Sequence, residues 1–458
     1  MTPLLAVAAC RGAAVEADVR EVEGRPVGWF RLAGGDHRGA IGTVEGDTIA
    51  RLVDTAVDLG VPVLGVLATS GADMVEGVPA LHAWGRVARA LTRASGTVPV
   101  VLVVTGPCVS GPALLLGLAD VVVMTDDAFA YVSGPGAVRA LTSVAVSHER
   151  LGGSAVHATA TGVAALLGSS EDAAVALAAD VLAHLPSNTM EAPPQLWAGD
   201  PADRDCSRAA SAVPASPTAS YDVRVVAGDV LDEGSLLELW PRWGTSMTTA
   251  LAAMEGRPVG VVANQPVQLA GTVDIAASQK AARFVQLCDA FNLPIITFVD
   301  TPGFQPGKEL EWRGMIRHGA QLVHAYGEAT VPRVCVVLRK AYGGAYIVMD
   351  SKGLGNDACF AWPRAEIAVM GAPGAVQILH GKRLAASSSG NGSACDERRR
   401  LEDEYAATYC TPAIAAQRGY VDEVIQPVDT RRVVALALRA LRTKREHLPR
   451  RRHSNSPL

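Results

Sequence analysis

The strongest constraint on the fold is that the chain repeats itself. Three landmarks of the first half recur in the second half, each displaced by 232 or 233 residues. They are EGRPVG at 23–28 and 255–260, the prolines Pro62 and Pro294 before an apolar run, and the glycines Gly111 and Gly344 that close another. Landmarks that recur in the same order with the same spacing indicate an internal duplication. Because the period is far longer than that of a solenoid repeat, it predicts two homologous domains.

Each half follows the same plan of alternating strands and helices. After EGRPVG, an amphipathic helix is predicted at Asp47–Leu59 in the first half and at Ala276–Phe291 in the second. Apolar, β-branched runs predict buried strands at Val100–Val104 and Val334–Leu338, each leading into a glycine turn and another helix. This alternation is typical of an α/β fold with parallel sheets.

The two halves are joined by a stretch of different composition. Residues 192–220 are rich in proline, alanine, serine and aspartate, which is typical of a linker. The sequence therefore predicts an N-terminal domain at 1–191, a linker at 192–220 and a C-terminal domain at 221–458. A chain of 458 residues is also too long for one ordinary core.

Composition argues against several classes of function. The net charge is -5, from 41 basic and 46 acidic residues, so no general binding to nucleic acid or membranes is expected. None of the eight cysteines forms a C-x-x-C pair, and no metal site is expected. The N-terminus lacks the charged start of a signal peptide, which predicts a cytoplasmic protein with reduced thiols.

The glycine turns are the places where chemistry is expected. In the second half an apolar strand leads into Gly343, Gly344 and Ala345, where backbone N–H groups at a helix start are suited to hold a developing oxyanion. The matching first-half turn contains Ser110 and Gly111. The competing interpretation is a turn that only packs a strand closely against a helix, which is a common arrangement.

Side-chain catalytic motifs are missing from the sequence. It contains no H-E-x-x-H, no G-x-S-x-G, no Walker loop and no Ser-His-Asp order. A chemistry that relies on backbone N–H groups and on a cofactor carried by another protein would leave such a sparse signature.

Longer stretches carry a family resemblance. They are MEGRPVGVVANQP (254–266), DIAASQKAARFVQLCDAFNLPIITFVDTPGF (274–304), RKAYGGAYIVMDSKGLG (339–355) and AWPRAEIAVMGAPGAVQILH (361–380), with SGADMVEG (70–77), GPCVSGPA (106–113) and LPSNTMEAPP (185–194) in the first half. From about Tyr221 onward the chain closely resembles the carboxyltransferase (β) subunits of acyl-CoA carboxylases, such as propionyl-CoA and acetyl-CoA carboxylases. The first half resembles them more weakly.

Membership of that family implies an architecture and a set of partners. It implies two tandem crotonase-like (ClpP/crotonase) domains in a homo-oligomer, a hexamer built as a trimer of dimers. Each active site would lie between the first domain of one chain and the second domain of its partner. Acyl-CoA would bind the first domain. Biotin, carried on a separate biotin carboxylase/biotin carrier (α) subunit, would enter over the second, with no metal in this chain.

The resemblance also implies roles for single residues. The N–H groups of Gly344 and Ala345 would hold the ureido oxygen of biotin, and those of Ser110 and Gly111 the thioester oxygen of acyl-CoA. Ile347 lies at a position similar to the family's selectivity spot, with a buried core isoleucine as the competing interpretation. Further substrate-binding candidates are Gly343, Gly303, Phe304, Gly71 and Ala72.

The chain departs from the family in its first half. The helical region that precedes EGRPVG is shortened. The family's G-G-A-R reads SGAD at 70–73, which puts an anion where the family has a cation. Ser110 stands in place of a glycine, Pro112 follows the turn, and Asp47 replaces a lysine. Handling of biotin is therefore better supported than handling of acyl-CoA.

The sequence thus predicts a biotin-dependent carboxyltransferase of the propionyl-CoA/acetyl-CoA carboxylase type. It would move CO2 from carboxybiotin on a partner subunit to the α-carbon of an acyl-CoA. Two alternatives stay open. One is a non-catalytic assembly or regulatory paralogue, which the altered first half favours, and the other is a malonyl-type thioester decarboxylase. The intact Gly344–Ala345 turn favours catalysis.

Overall fold

The computed structural model describes residues 14–35, 37–386, 393–446, 448–455 and 457. The chain separates into two compact units, each assembled from discontinuous segments. The first comprises residues 1–195, 239–243 and 290–292, and the second residues 196–238, 244–289 and 293–458. The predicted bounds of 1–191, 192–220 and 221–458 stay a prediction.

Within the described residues, the first unit is built on a seven-stranded sheet. Its strands are β1 (Val15–Val22), β2 (Arg25–Leu32), β3 (Val63–Thr69), β4 (Val100–Val109), β5 (Val121–Thr125), β6 (Phe129–Tyr131) and β7 (Leu166–Gly168). They lie in the order β1-β2-β3-β4-β5-β7, with β6 paired to β4. β1 and β2 are antiparallel and the other pairings are parallel. The central strand β4 is buried over Val100–Val104, as its continuous apolar run predicts.

An eight-stranded sheet repeats this plan in the second half. Its described strands are β8 (Leu237–Leu239), β9 (Met247–Met254), β10 (Arg257–Asn264), β11 (Ile295–Thr301), β12 (Arg333–Tyr342), β13 (Ala358–Ala361), β14 (Glu366–Ala368) and β15 (Glu423–Val424). The order is β15-β13-β12-β11-β10-β9-β8, with β14 paired to β12. β9 and β10 are antiparallel, and the pairings from β10 to β15 are parallel. The α/β prediction is confirmed.

Helices connect the strands. The described α-helices are α1 (Thr43–Leu59), α2 (Val78–Ala94), α3 (Pro135–Thr142), α4 (His148–Gly152), α5 (Ser154–Val156), α6 (Glu171–Ala183), α7 (Ser207–Ala212), α8 (Val223–Val230), α9 (Ile275–Ala290), α10 (Lys308–Trp312), α11 (Met315–Glu328), α12 (Gly343–Val348), α13 (Ala372–Ala386), α14 (Ser393–Tyr405), α15 (Pro412–Gln417) and α16 (Thr430–Ala440). Because α1 and α2 connect neighbouring parallel strands, they are the crossover helices of the first unit.

The repeated EGRPVG forms the same tight turn in both halves. Glu23 and Gly24 connect β1 to β2, and Glu255 and Gly256 connect β9 to β10. Their φ angles are 48°, 74°, 54° and 72°. Two successive positive φ values are typical of the type I′ turn, whose twist matches that of a hairpin. The duplication in the sequence is therefore also a duplication of backbone conformation.

The start of α1 differs from the prediction. The helix begins at Thr43 rather than Asp47. The reason is Glu45, whose carboxylate accepts the N–H of Gly42 at 3.1 Å and so supports an earlier helix start. The helix ends before Gly60, which takes the left-handed conformation at φ 65° that favours glycine.

The strands before the glycine turns are longer than predicted. β4 continues beyond Val104 and β12 beyond Leu338. The extensions Pro107–Val109 and Lys340–Tyr342 pair with the short strands β6 and β14. Three-residue partner strands are too short for a clear alternation pattern, so the sequence did not reveal them. In contrast, α9 agrees with its predicted bounds to within one residue at each end.

The cysteines of the described chain are free thiols. Six are buried and Cys395 is exposed. The buried ones are Cys108, Cys206, Cys288, Cys335, Cys359 and Cys410.

No helix in the described segments is both long and apolar enough to cross a bilayer. The prediction that the N-terminus is not a signal peptide concerns mainly residues 1–13, which lie outside the described residues.

Candidate functional site

The loop after β3 forms one wall of a candidate site in the first unit. The Thr69 hydroxyl accepts the N–H of Gly71 at 3.2 Å, and Gly71 has φ 112°. The carbonyl of Gly71 accepts the N–H of Ile41 at 2.8 Å, and the N–H of Asp73 donates to the carbonyl of Ile41 at 3.0 Å. These bonds fix the loop without using the N–H of Ala72.

The turn after β4 lies directly against this loop. A Cβ placed on Gly71 would be 3.2 Å from the Cβ of Ser110. After Ser110 the chain enters a 3-10 helix at Gly111–Leu118. The structure therefore brings together the first-half candidates, which are Ser110, Gly111, Gly71 and Ala72.

One of the predicted donors in this turn is already engaged. The N–H of Ser110 donates to the carbonyl of Tyr131 at 2.9 Å, which continues the pairing of β4 with β6. Pro112 follows and has no N–H. The backbone donors that we expect at this turn are therefore Gly111 and, from the neighbouring loop, Ala72.

Replacing Ser110 by glycine should leave the carboxylation that the family resemblance implies unchanged or raise it slightly. The backbone of Ser110, at φ 66° and ψ -151°, adopts a conformation that is essentially confined to glycine. Relief of this strain should stabilise the protein by about 1 kcal/mol. Steady-state kinetics and thermal unfolding of both proteins test this. A clear loss of kcat would mean that the Ser110 side chain takes part in the site.

The second unit repeats the loop geometry. The Thr301 hydroxyl accepts the N–H of Gly303 at 3.3 Å, and Gly303 has φ 144°. The carbonyl of Gly303 accepts the N–H of Val273 at 3.1 Å, and the N–H of Gln305 donates to the carbonyl of Val273 at 3.0 Å. As in the first unit, these bonds do not use the N–H of the intervening residue, here Phe304.

The turn after β12 lies beside that loop. Gly343, which occupies the repeat position of Ser110, has φ 60° and begins α12. A Cβ placed on Gly344 would be 3.6 Å from Cε2 of Phe304. The first N–H groups of a helix have no partner within the helix, so those of Gly344 and Ala345 can be offered to a ligand oxygen. The second-half candidates are thus also brought together.

Ile347 lies on α12 just beyond this turn. Its side chain is 45% exposed, so the competing interpretation of a buried core isoleucine is wrong. Leu114, its counterpart in the repeat, is 53% exposed. Each glycine turn is therefore followed by an exposed apolar side chain, which is suited to contact a ligand or another chain.

If the chain acts on acyl-CoA, as the family resemblance implies, replacing Ile347 by aspartate should change the relative kcat/KM for acetyl-, propionyl- and butyryl-CoA. The longer chains should lose most, because one methylene in an apolar pocket is worth about 1–3 kcal/mol of discrimination. A matched control is Leu59→Asp, since Leu59 is 47% exposed at the end of α1. Unchanged ratios with retained activity would remove Ile347 from the acyl pocket.

A buried ion pair lies beneath the second-unit turn. Nε of Arg339 is 2.9 Å from Oδ2 of Asp300, and the two side chains are 6% and 0% exposed. Oδ1 of Asp300 accepts the N–H of Lys340 at 3.1 Å. The first half has Ala68 and Gly106 at the equivalent positions. This pair was not predicted from the sequence, although an aspartate and an arginine at the ends of adjacent predicted strands are a usable signal.

Two acidic side chains flank α12. The Tyr342 hydroxyl donates to the carboxylate of Glu366. Burial and this carboxylate raise the pKa of Tyr342 well above its usual value. At the other end of α12, burial raises the pKa of Asp350 to about 6, although the Arg333 guanidinium 2.9 Å away favours the charged form. The polar groups at the start of the helix are therefore half-buried, and Asp350 after its end is fully buried.

Asp73, the anion in the first-half loop, is itself paired. Its Oδ2 is 2.5 Å from Nδ1 of His37, and its Oδ1 accepts the N–H of Val75 at 2.8 Å. These hydrogen bonds lower the pKa of Asp73, so the carboxylate stays charged at neutral pH. The loop thus carries a fixed negative charge directly after Ala72.

The groups suited to hold a cofactor are backbone donors rather than metal-ligating side chains. Across the described segments, no group of three or more His, Cys, Asp or Glu side chains is placed to bind a metal ion. The N–H groups of Gly344 and Ala345 suit a carbonyl-type oxygen that gains negative charge during a reaction.

Comparison with known proteins gives a consistent family. Residues 7–456 match the carboxyl transferase domain. The chain is 44% identical over 446 residues to the propionyl-CoA carboxylase beta chain of Saccharopolyspora erythraea, covering 95% of this chain and 82% of that relative. It is 38% identical over 421 residues to the methylmalonyl-CoA decarboxylase subunit alpha of Veillonella parvula, covering 92% and 80%. The solved 12S transcarboxylase, a hexamer with hydrolysed methylmalonyl-CoA bound, has a TM-score of 0.93 at 38% identity, covering 97% of this chain and 85% of that one.

Proposed function

The chain belongs to the carboxyl transferase family, and on this premise we propose that it is the carboxyltransferase subunit of a biotin-dependent acyl-CoA carboxylase. Its likeness to the 12S transcarboxylase confirms the two tandem crotonase-like domains. The observation that carries the proposal is the pair of equivalent glycine turns, at Ser110–Gly111 and Gly343–Gly344. Each turn lies against a loop with one N–H that has no backbone partner among the described residues.

The second-unit turn would hold the ureido oxygen of biotin. Carboxybiotin supplies CO2 and, once CO2 has left, a basic ureido nitrogen. The N–H groups of Gly344 and Ala345 would stabilise negative charge on the ureido oxygen. The buried pair of Asp300 and Arg339 would keep the end of β12 fixed beneath them. Donors that are already oriented need no reorganisation during the reaction.

The first-unit turn would hold the acyl thioester. We assign the N–H groups of Gly111 and Ala72 to its oxygen, in place of the predicted pair of Ser110 and Gly111, because the N–H of Ser110 is bonded to Tyr131. These donors would stabilise the enolate that forms when the α-proton passes to the ureido nitrogen from which CO2 has left. The α-carbon then forms its new bond to CO2. No side-chain base is needed, which accounts for the absence of side-chain motifs.

The acceptor that we propose is a short acyl-CoA, acetyl-CoA or propionyl-CoA. Support comes from the names of the relatives, one a propionyl-CoA carboxylase and another a methylmalonyl-CoA decarboxylase. The exposed apolar Ile347 beside the second turn suits a short alkyl chain better than a charged acyl group.

We further propose that the chain works in the cytoplasm as a homo-hexamer, a trimer of dimers, with a separate biotin carboxylase/biotin carrier (α) subunit. The hexamer of the 12S transcarboxylase supports the assembly. In this proposal each active site is shared between the first domain of one chain and the second domain of its partner. Light scattering on the purified protein measures the assembly, and a strict monomer would contradict the shared site.

The direct test is a carboxylation assay. The purified chain is combined with a biotinylated α subunit, ATP and bicarbonate, and acetyl-, propionyl- and butyryl-CoA are supplied in turn. Mass spectrometry should detect the α-carboxylated product for at least one of them. The same protein incubated with methylmalonyl-CoA and biotinylated partner measures the decarboxylase alternative. If no acyl-CoA is carboxylated and the chain co-purifies stoichiometrically with an intact β subunit, the non-catalytic alternative replaces the proposal.

A further inference from the structure

Trp84 carries a buried polar group that the fold does not explain. It lies on α2, the helix that follows the Ala72 loop. Its indole Nε1 is buried and has no hydrogen-bond acceptor in the part of the chain that the structure describes. An unpaired buried donor costs about 1–3 kcal/mol. Buried polar groups in native proteins are nearly always paired, so an orphan of this kind points to a missing partner.

The edge of the indole that bears this N–H lies against the first-unit glycine turn. A Cβ placed on Gly111 would be 3.0 Å from Cε2 and Cζ2 of Trp84 and 3.2 Å from its Nε1. Any other residue at position 111 would therefore push the indole away. The glycine and the indole are fitted to each other at the place where the acyl thioester is expected.

The backbone of this turn supplies few donors. The N–H of Ser110 is bonded to the carbonyl of Tyr131 at 2.9 Å, and Pro112 has no N–H. An oxyanion is usually held by two or more donors in a site that excludes water. A neutral indole N–H at the same turn would add a donor without adding charge, and it would not titrate in the physiological range.

We propose that the Nε1–H of Trp84 donates a hydrogen bond to the thioester oxygen of acyl-CoA and so stabilises the enolate together with Gly111 and Ala72. The inference rests on the proposed function, because it takes acyl-CoA as the ligand of the first-unit turn. Trp84 forms no covalent bond and transfers no proton. This hydrogen bond would give the Nε1–H of Trp84 a partner, and Gly111 leaves the space that the indole needs beside the turn.

The variant Trp84→Phe removes the donor and keeps an aromatic ring on α2. We expect kcat for carboxylation to fall by about 10²-fold, the usual effect of losing one oxyanion donor, with a smaller change in KM for acyl-CoA. The matched control is Trp29→Phe, which removes an indole from β2, where Trp29 is 8% exposed and lies under the Arg20 guanidinium. This control should retain full activity.

Ultraviolet resonance Raman spectroscopy reports directly on hydrogen bonding by indole N–H groups. Adding propionyl-CoA to the wild-type protein should convert one indole from free to hydrogen-bonded, and this change should be missing in Trp84→Phe. If the wild type is active and Trp84→Phe keeps kcat within about twofold, the inference is overturned while the proposed function stands. If the wild type carboxylates nothing, the proposed function fails, and the spectral response to propionyl-CoA alone still decides whether Trp84 binds it.

Discussion

Gly344→Pro should reduce kcat for carboxylation by about 10²-fold to 10³-fold, because it removes the N–H that we propose to bind the ureido oxygen of biotin. Gly344 is the second residue of α12. Proline is tolerated in the first turn of a helix, where its missing N–H has no partner within the helix in any case. The first unit illustrates this, since its own 3-10 helix has Pro112 as the second residue. The fold should therefore survive the change that removes the N–H.

The control for this prediction is Gly344→Ala, which keeps the N–H. The added Cβ would lie 3.6 Å from Cε2 of Phe304, an ordinary van der Waals contact, so Gly344→Ala should be nearly as active as the wild type. Both variants are compared with the wild type by thermal unfolding and by kinetics with the biotinylated partner. If Gly344→Pro unfolds like the wild type and still turns over at a similar rate, the turn does not hold biotin through this N–H.

The features that the sequence predicted well are those that local patterns determine. The bounds of α9 follow from its apolar periodicity, and the repeat of EGRPVG reappears as the same turn at Glu23–Gly24 and Glu255–Gly256. The first helix begins earlier than predicted, because the Glu45 side chain contributes to its cap. Turns and helix ends depend on residues that are close in sequence, so local sequence patterns are enough to predict them.

The features that the sequence could not reveal join residues far apart in the chain. The N–H of Ser110 is engaged by Tyr131, a residue of a three-residue strand with no pattern of its own. The indole of Trp84 reaches Gly111 from a different helix. Both contacts depend on how β4 and α2 pack in three dimensions. The periodicity of apolar residues indicates only which face of a helix or strand is buried. The family resemblance therefore singled out the turn at Ser110–Gly111, but one of the two donors that it implied is an N–H that is already bonded.

Breaking the buried ion pair of Asp300 and Arg339 should have the largest effect on stability. Asp300→Ala would leave the Arg339 guanidinium buried without its carboxylate, which typically costs about 3–5 kcal/mol. Nη1 of Arg339 also donates to the carbonyls of Ser216 at 2.9 Å and Ala219 at 2.7 Å, so the side chain cannot turn to solvent without releasing that segment. The midpoint of thermal unfolding should fall by roughly 10 °C.

Two control variants test whether the loss of stability in Asp300→Ala comes from the unpaired Arg339 charge that stays buried. Asp18→Ala breaks the exposed pair of Arg20 and Asp18 and should cost less than about 1 kcal/mol, because solvent screens such pairs. The double variant Asp300→Ala/Arg339→Met leaves no charge buried and should unfold at a higher temperature than Asp300→Ala alone. The first half supports the expectation that the turn can form without the ion pair. The equivalent turn there has Ala68 and Gly106 at the positions of Asp300 and Arg339. A double variant no more stable than Asp300→Ala would mean that Arg339 acts mainly through the segment it holds.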